Sequence, residues 1–210
     1  MPDTEKIQPD PLPTRDSLLS RLKNWGDERS WTEFFETYWQ LIYKVAIGAG
    51  LADAEAQDVV QETVITVAKK IQTFKKGREH GSFKSWLAKV TRNRIYDQYT
   101  KRKRQGPGSA ADPNMATWDM LEEMVDPRRD LEALWETEWQ TNLAAAAIRR
   151  LKQQVKAEHF QVFEFVALRN WPIKKVSQTL HVSVAQIYLI RFRLTAALKK
   201  HVKDLQAETN

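Results

Sequence analysis

The stretch from Gly81 to Arg104 most constrains how this chain can fold, because it predicts one long helix with two different faces. Ser82 is suited to cap the helix, and no helix breaker follows it before Gly106. At about 100° per residue, the apolar face consists of Phe83, Trp86, Leu87 and Val90. The opposite face is predicted to carry Ser85, Lys89, Arg92, Tyr96, Tyr99 and Lys103. The apolar face requires further helices to pack against it.

The polar face of this helix alternates cations with tyrosines, which suits a single nucleic-acid strand. Cations attract the phosphates, and tyrosine rings offer surfaces on which unstacked bases can stack. A structural interpretation stands beside this one, because basic helical faces are often merely solvated and tyrosines often cover the edge of a core. The helix alone leaves both interpretations open.

Three more helices are predicted before it, which makes residues 14–104 a compact four-helix domain. Residues 14–23 form a short helix, and a longer one starts at Ser30 or Thr32 and ends at Gly48. The core stripe of the longer helix is predicted to be Trp31, Phe34, Phe35, Tyr38, Ile42, Val45 and Ala46. Asp53 is predicted to cap a third helix over residues 54–74. Residues 1–13 contain four prolines and are predicted to be a disordered arm.

Charge divides the rest of the chain. Residues 69–104 carry thirteen basic and two acidic side chains. Residues 105–140 carry two basic and nine acidic side chains, and residues 141–203 carry twelve basic and two acidic ones. Glycine, proline and acid in residues 105–130 predict a linker. The pattern predicts an all-α chain of two helical domains, 14–104 and 131–204, with a tail at 205–210. Two basic blocks around an acidic one indicate two modules that bind polyanions.

The second domain ends in a predicted helix-turn-helix. A short helix over 173–180, a turn at His181 and a longer helix capped by Ser183 have the required lengths. Its outward residues are predicted to be Gln186, Tyr188, Leu189, Phe192 and Arg193, and phosphate contacts are predicted for Lys174, Lys175, Arg191 and Lys199. An outward Leu and Phe would suit thymine methyl groups or a partner protein. Helix pairs of this spacing also occur as inert bundle corners.

Composition excludes several classes of protein. The chain has no cysteine, so disulfides and zinc knuckles are not expected. The N-terminus lacks the apolar segment of a signal peptide, and no apolar run approaches ~18 residues, so a soluble cytoplasmic protein without membrane insertion is expected. Its four histidines are scattered, and its paired carboxylates have no nucleophile nearby. We therefore expect no metal, no cofactor, no catalytic residue and no enzymatic activity.

Together these segments resemble the extracytoplasmic-function group of bacterial sigma factors, within the sigma-70-like family. The run from Ala54 to Thr63 is similar to the core-binding segment of sigma region 2, and the Gly81–Leu87 run, Arg92, Asn93 and Asp97 are similar to its promoter-melting segment. The second domain is similar to sigma region 4. His181 departs from the family's preferred glycine, and Tyr188 stands where a basic residue is frequent.

The resemblance implies a subunit without an active site, which binds bacterial core RNA polymerase and promoter DNA and which an anti-sigma factor can hold. Its polymerase-binding residues would be Asp58, Gln61 and Glu62. The −10 element would contact Lys75, Lys76, Lys89, Arg92, Asn93, Tyr96, Tyr99 and Lys103. The −35 element would contact Gln186, Tyr188, Leu189, Arg191, Phe192 and Arg193, with Lys174, Lys175 and Lys199 on phosphates.

Two other functions compete with this one. A stand-alone helix-turn-helix regulator would bind a duplex operator without polymerase, and it leaves residues 14–104 unexplained. An RNA-binding or antitermination module would use the aromatic basic helix, and it leaves the C-terminal motif without a role. A sigma factor accounts for both halves of the chain.

Overall fold

A computed structural model of the 210-residue chain describes residues 18–75, 81–105 and 127–209. Every regular element in these ranges is helical, which confirms the predicted all-α class. The elements are α1 (Leu18–Arg21), α2 (Glu28–Gly48), α3 (Asp53–Lys70), α4 (Phe83–Gln105), α5 (Pro127–Gln154), α6 (Ala157–Phe163), a π-helical turn (Glu164–Leu168), α7 (Ile173–Leu180) and α8 (Val184–Thr209). The predicted arm at residues 1–13 and most of the predicted linker lie outside the described residues.

The start of α2 corrects the prediction that Ser30 or Thr32 begins it. Asp27 caps the helix, since its carboxylate accepts hydrogen bonds from the Ser30 amide at 3.1 Å and from the Ser30 hydroxyl at 2.5 Å. Ser30 itself is fully buried. Phe35 is 45% exposed, so its predicted place in the core stripe is wrong, whereas Phe34 and Tyr38 are buried.

The start of α3 also differs from the prediction, because Asp53 is its first helical residue and not its cap. The cap is Ala52, whose amide donates to Glu55 Oε2 at 2.7 Å. Asp53 instead accepts a hydrogen bond from the Tyr43 hydroxyl at 2.5 Å, which ties α3 to α2. The helix ends at Lys70, earlier than predicted, and the next described residues are a turn.

Helix α5 connects two cores. Its first half places Leu131, Trp135 and Trp139 in the core formed by α1 to α4. Its second half packs Leu143 and Ala147 in a cluster with Leu205 of α8. The approach to α2 is close, because a Cβ added at Gly48 would lie 2.6 Å from a methyl carbon of Leu134. The predicted domain boundary at residue 131 therefore falls inside one continuous helix.

Helices α7 and α8 have the predicted helix-turn-helix geometry. Between α7 and α8, His181 adopts a left-handed conformation with φ 53° and ψ 38°, the region that favours glycine. Helix α8 runs to Thr209, so residues that were predicted as a tail form its last turns, with Leu205 buried. Arg150 of α5 holds this end by a two-pronged pair to Glu208 at 3.0 Å. No helix in the described ranges is long and apolar enough to cross a bilayer.

Candidate nucleic-acid and polymerase surfaces

Helix α4 is held as the sequence predicted, by a cap and an apolar face. The Ser85 amide donates to Ser82 Oγ at 3.1 Å, which confirms Ser82 as the cap. Phe83 and Leu87 are fully buried, and the Phe83 ring lies 5.6 Å from the Tyr38 ring and 5.9 Å from the Phe74 ring. This aromatic packing fixes the rotation of α4 about its axis and hence the direction of its cations.

The cations of α4 line a groove between α4 and the first half of α5. The groove has a volume of ≈ 460 Å³, and its α4 wall includes Ser85, Lys89 and Arg92. Its α5 wall carries two exposed carboxylates, Glu132 and Glu136. The predicted strand-binding cations therefore face acidic side chains of the same chain.

The two tyrosines of α4 do not stand free on the surface. Tyr96 and Tyr99 are half-buried and pack against the core formed by α1 to α4 and the first half of α5. The Tyr99 hydroxyl donates to the Ala49 carbonyl, and burial raises the Tyr99 pKa above its ordinary value. For these residues the structure matches the alternative interpretation, in which tyrosines cover the edge of a core.

Of the four remaining residues predicted to contact the −10 element, the structure describes the side chains of two. Asn93 on α4 and Lys75 beyond the end of α3 are exposed. Lys76 and the side chain of Lys103 lie outside the described residues.

The predicted polymerase surface on α3 lies beside α4. Asp58 and Glu62 are about half exposed, and both approach cations of α4. Lys101 Nζ lies 4.0 Å from Asp58 Oδ2, and Arg94 Nη1 lies 3.7 Å from Glu62 Oε2. Gln61 is exposed between them. These long, exposed ion pairs contribute little stability, so both carboxylates remain available to a partner.

One apolar residue extends this α3 surface. Ile65 is 44% exposed, and it lies seven positions after Asp58 and three after Glu62, on the same side of the helix. It is absent from the predicted set, although its spacing would have placed it there. The surface thus combines carboxylates, an amide and an apolar side chain.

A third ion pair between α3 and α4 is stronger. Arg102 donates two hydrogen bonds to the Glu55 carboxylate, the bidentate geometry that favours this pair. The hydrogen bond from Arg102 holds the Glu55 pKa below its ordinary value. The pair joins the start of α3 to the end of α4.

The outer face of α8 begins with a capping box. The backbone amide of Gln186 donates to Ser183 Oγ at 3.3 Å. In return, the backbone amide and the hydroxyl of Ser183 donate to the side-chain Oε1 of Gln186 at 3.2 Å and 3.0 Å. Ser183 is therefore confirmed as the cap, and the side-chain oxygen of Gln186 is already occupied by it. A bidentate contact from Gln186 to adenine would require this cap to open.

The centre of the same face is apolar. Tyr188, Leu189 and Phe192 are 54%, 47% and 74% exposed. The predicted cations around them are also exposed, namely Arg191, Arg193, Lys174, Lys175 and Lys199. Lys175 Nζ lies 4.1 Å from the centre of the Trp171 ring, a cation–π contact that directs it.

Among the described residues, no group of three or more His, Asp or Glu side chains could hold a metal ion.

Comparison with known proteins finds similarity over helices α2 to α4. Residues 34–105, which span most of α2 together with α3 and α4, match the family model of sigma-70 region 2. The chain is 26% identical over 102 residues to the ECF RNA polymerase sigma factor SigE of Mycolicibacterium smegmatis. That match covers 49% of this chain and 38% of the relative's length.

Two solved structures show weaker similarity. The RsbN–BldN complex gives a TM-score of 0.33 at 14% identity, covering 87% of this chain and 97% of that one. The structure of CnrH with the cytosolic domain of CnrY gives 0.34 at 14% identity, covering 89% and 96%. Scores this low do not establish a shared arrangement of the whole chain.

Proposed function

We propose that the protein is a sigma factor that directs transcription initiation, from the premise that residues 34–105 match the family model of sigma-70 region 2 and that the chain is similar to an ECF RNA polymerase sigma factor. It would act in the cytoplasm as a subunit of bacterial RNA polymerase, without catalytic activity of its own. The family match over α2 to α4 is the observation that carries this proposal, because a stand-alone regulator has no use for those helices.

In this proposal the α3 surface docks on core polymerase. Asp58, Gln61 and Glu62 supply charge and hydrogen bonds, and exposed Ile65 supplies apolar area that a partner would bury. Because Asp58 and Glu62 are only loosely paired with Lys101 and Arg94, docking costs little internal stability.

The basic face of α4 then holds the non-template strand of the −10 element. Lys89 and Arg92 attract phosphates, with Asn93 exposed beside them. Unstacking one base costs a few kcal/mol, and stacking it on an aromatic ring returns about 1–3 kcal/mol. Local opening can therefore be nearly balanced without a nucleotide-hydrolysing site. The half-buried Tyr96 would supply the ring for this stacking.

The helix-turn-helix of α7 and α8 would read the −35 element in the major groove. Exposed Arg193 and Tyr188 lie on the outer face of α8, and exposed Lys174 and Lys199 suit phosphate contacts. An anti-sigma factor is a further partner in this proposal, as the sequence resemblance implies.

Co-elution with bacterial core RNA polymerase on a sizing column tests the proposal. Wild type should co-elute, and Gln61→Arg should not, because this substitution places a cation in the centre of the acidic surface without breaking an ion pair. Asp58→Arg/Glu62→Arg should fail as well. Glu36→Arg, a charge reversal at an exposed position of α2, is the control that should co-elute like wild type.

The outcomes separate the two candidate functions. Loss of co-elution only in the α3 variants would support docking through this surface. A wild-type protein that ignores core polymerase but binds duplex DNA tightly would contradict the proposal and favour a stand-alone regulator.

A further inference from the structure

The outer face of α8 carries a continuous apolar stripe. At about 100° per residue, Ala185, Tyr188, Leu189, Phe192 and Ala196 project within one sector of the helix, and all five are exposed. The opposite sector carries the buried Ile187 and Leu194. An apolar stripe opposite a core is unusual in a solvated helix, so it indicates a contact surface.

Charge around the stripe identifies the class of partner. No acidic residue occurs in the chain between Glu164 and Asp204, whereas that interval contains eight lysines and arginines. Arg191 and Arg193 flank the stripe on its two sides, and both are exposed. This positive potential attracts a polyanion, which favours duplex DNA over a groove on a protein as the partner.

Polar base reading is limited on this face. The side-chain oxygen of Gln186 accepts from Ser183, so its amide is not free to pair with adenine on two atoms. The groups that remain at the centre of the face are methyl groups, an aliphatic side chain and two rings. In the major groove the apolar group of a base pair is the thymine C5-methyl, which Ala and Phe contact in protein–DNA complexes.

We propose that the stripe on α8 reads thymine methyl groups, with Leu189 and Phe192 as the specificity-determining residues and Ala185 as an additional contact. This inference rests on the proposed function, because it names what α8 recognises in the upstream element. The flanking arginines hold the phosphates or guanine edges at the ends of the site, and the stripe selects T·A pairs between them.

Deoxyuridine offers a direct test, because it pairs like thymidine and lacks only the C5-methyl group. A pool of duplexes with a randomised central block is first selected on the full-length protein at low salt. The enriched duplex is then synthesised with deoxyuridine replacing thymidine at single positions. We expect enrichment of T·A pairs and about fourfold weaker binding for each contacted methyl that is removed.

Variants connect the effect to the stripe. In Phe192→Ala or Leu189→Ala, the thymidine and deoxyuridine duplexes should bind equally at the contacted position. Arg193→Ala should weaken both duplexes alike and keep their ratio. Phe192 is 74% exposed, so its truncation should leave the circular dichroism spectrum unchanged.

Each outcome decides something. Equal wild-type affinity for the thymidine and deoxyuridine duplexes would overturn the inference, favour a protein partner for the stripe, and leave promoter reading by the arginines intact. A pool from which no duplex is enriched would contradict both the inference and the proposed role of α8. Co-elution with polymerase would then still test the α3 surface separately.

Discussion

Lys84 Nζ lies 2.5 Å from Glu136 Oε2, an ion pair that joins the first turn of α4 to the first half of α5. The same ammonium lies 5.8 Å from the centre of the Trp139 ring. The hydrogen bond from Lys84 lowers the Glu136 pKa below its ordinary value. Helix α5 is therefore held against helices α1 to α4 by charge as well as by apolar packing, on the side where Lys89 and Arg92 lie.

This arrangement predicts that Glu136 competes with nucleic acid for the basic face of α4. Glu136→Gln should bind a labelled single-stranded DNA oligonucleotide about two- to fivefold more tightly than wild type, because one facing negative charge is removed. The effect should shrink as salt is raised. Fluorescence anisotropy of the labelled strand measures both.

Glu138 provides a matched control for that experiment. It lies on the same helix and pairs with Lys44 of α2 at 3.7 Å, away from the groove. Glu138→Gln changes the net charge identically and should have a smaller effect. Lys89→Ala/Arg92→Ala should weaken strand binding in either background. Equal gains in the two glutamine variants would show that net charge, and not the groove, is responsible.

The packing of α5 predicts a large loss of stability on truncation of Trp139. This side chain is 3% exposed and stacks on Tyr38 with ring centres 5.9 Å apart. Trp139→Ala should lower the free energy of unfolding by about 3–5 kcal/mol, because it removes a large buried ring and leaves a cavity. Urea denaturation followed by circular dichroism gives the value.

Trp25→Ala is the control for size and residue type. Trp25 is 61% exposed, so its truncation should cost much less. A Trp139→Ala variant that is no less stable than Trp25→Ala would mean that the first half of α5 does not pack on helices α1 to α4 in solution.

Acid should weaken the contact between α3 and α4 through Glu55. Its pKa is lowered in the folded state by Arg102, so the ionised form stabilises the fold at pH values above about 4.5 and this contribution is lost as the pH falls through the lowered pKa. Glu55→Gln lacks the titrating group. The stability difference between wild type and variant should therefore be largest near neutral pH and shrink toward pH ~3, in urea denaturation across that range. A constant difference would contradict it.

The turn of the helix-turn-helix predicts opposite effects for two substitutions of His181. Because φ is 53° there, His181→Gly should raise the free energy of unfolding by up to about 1 kcal/mol, since glycine adopts this conformation without a Cβ penalty. His181→Val should lower it, because β-branched residues are strained in this region. Thermal unfolding of the three proteins ranks them, and a glycine variant less stable than wild type would contradict the expectation.

Local features were predictable from the sequence because they depend on residues close together in the chain. The period of apolar residues predicted α4 and its buried Phe83 and Leu87, and spacing predicted the Ser82 and Ser183 caps. Boundaries were less accurate at α2, where Asp27 competes with Ser30 as cap and burial of Ser30 decides between them.

The tertiary structure decided which surfaces are free. The sequence by itself determined an all-helical chain with a basic aromatic helix and a terminal helix-turn-helix, because the spacing of apolar residues and the distribution of charge can be read directly along the chain. Only packing between distant segments could bring Trp135 and Glu136 of α5 against α4, and tie the Tyr99 hydroxyl to Ala49. Residues of α5, about forty or more positions away, bury the apolar area that α2 and α4 leave uncovered. No local sequence pattern specifies which distant segment will cover that area.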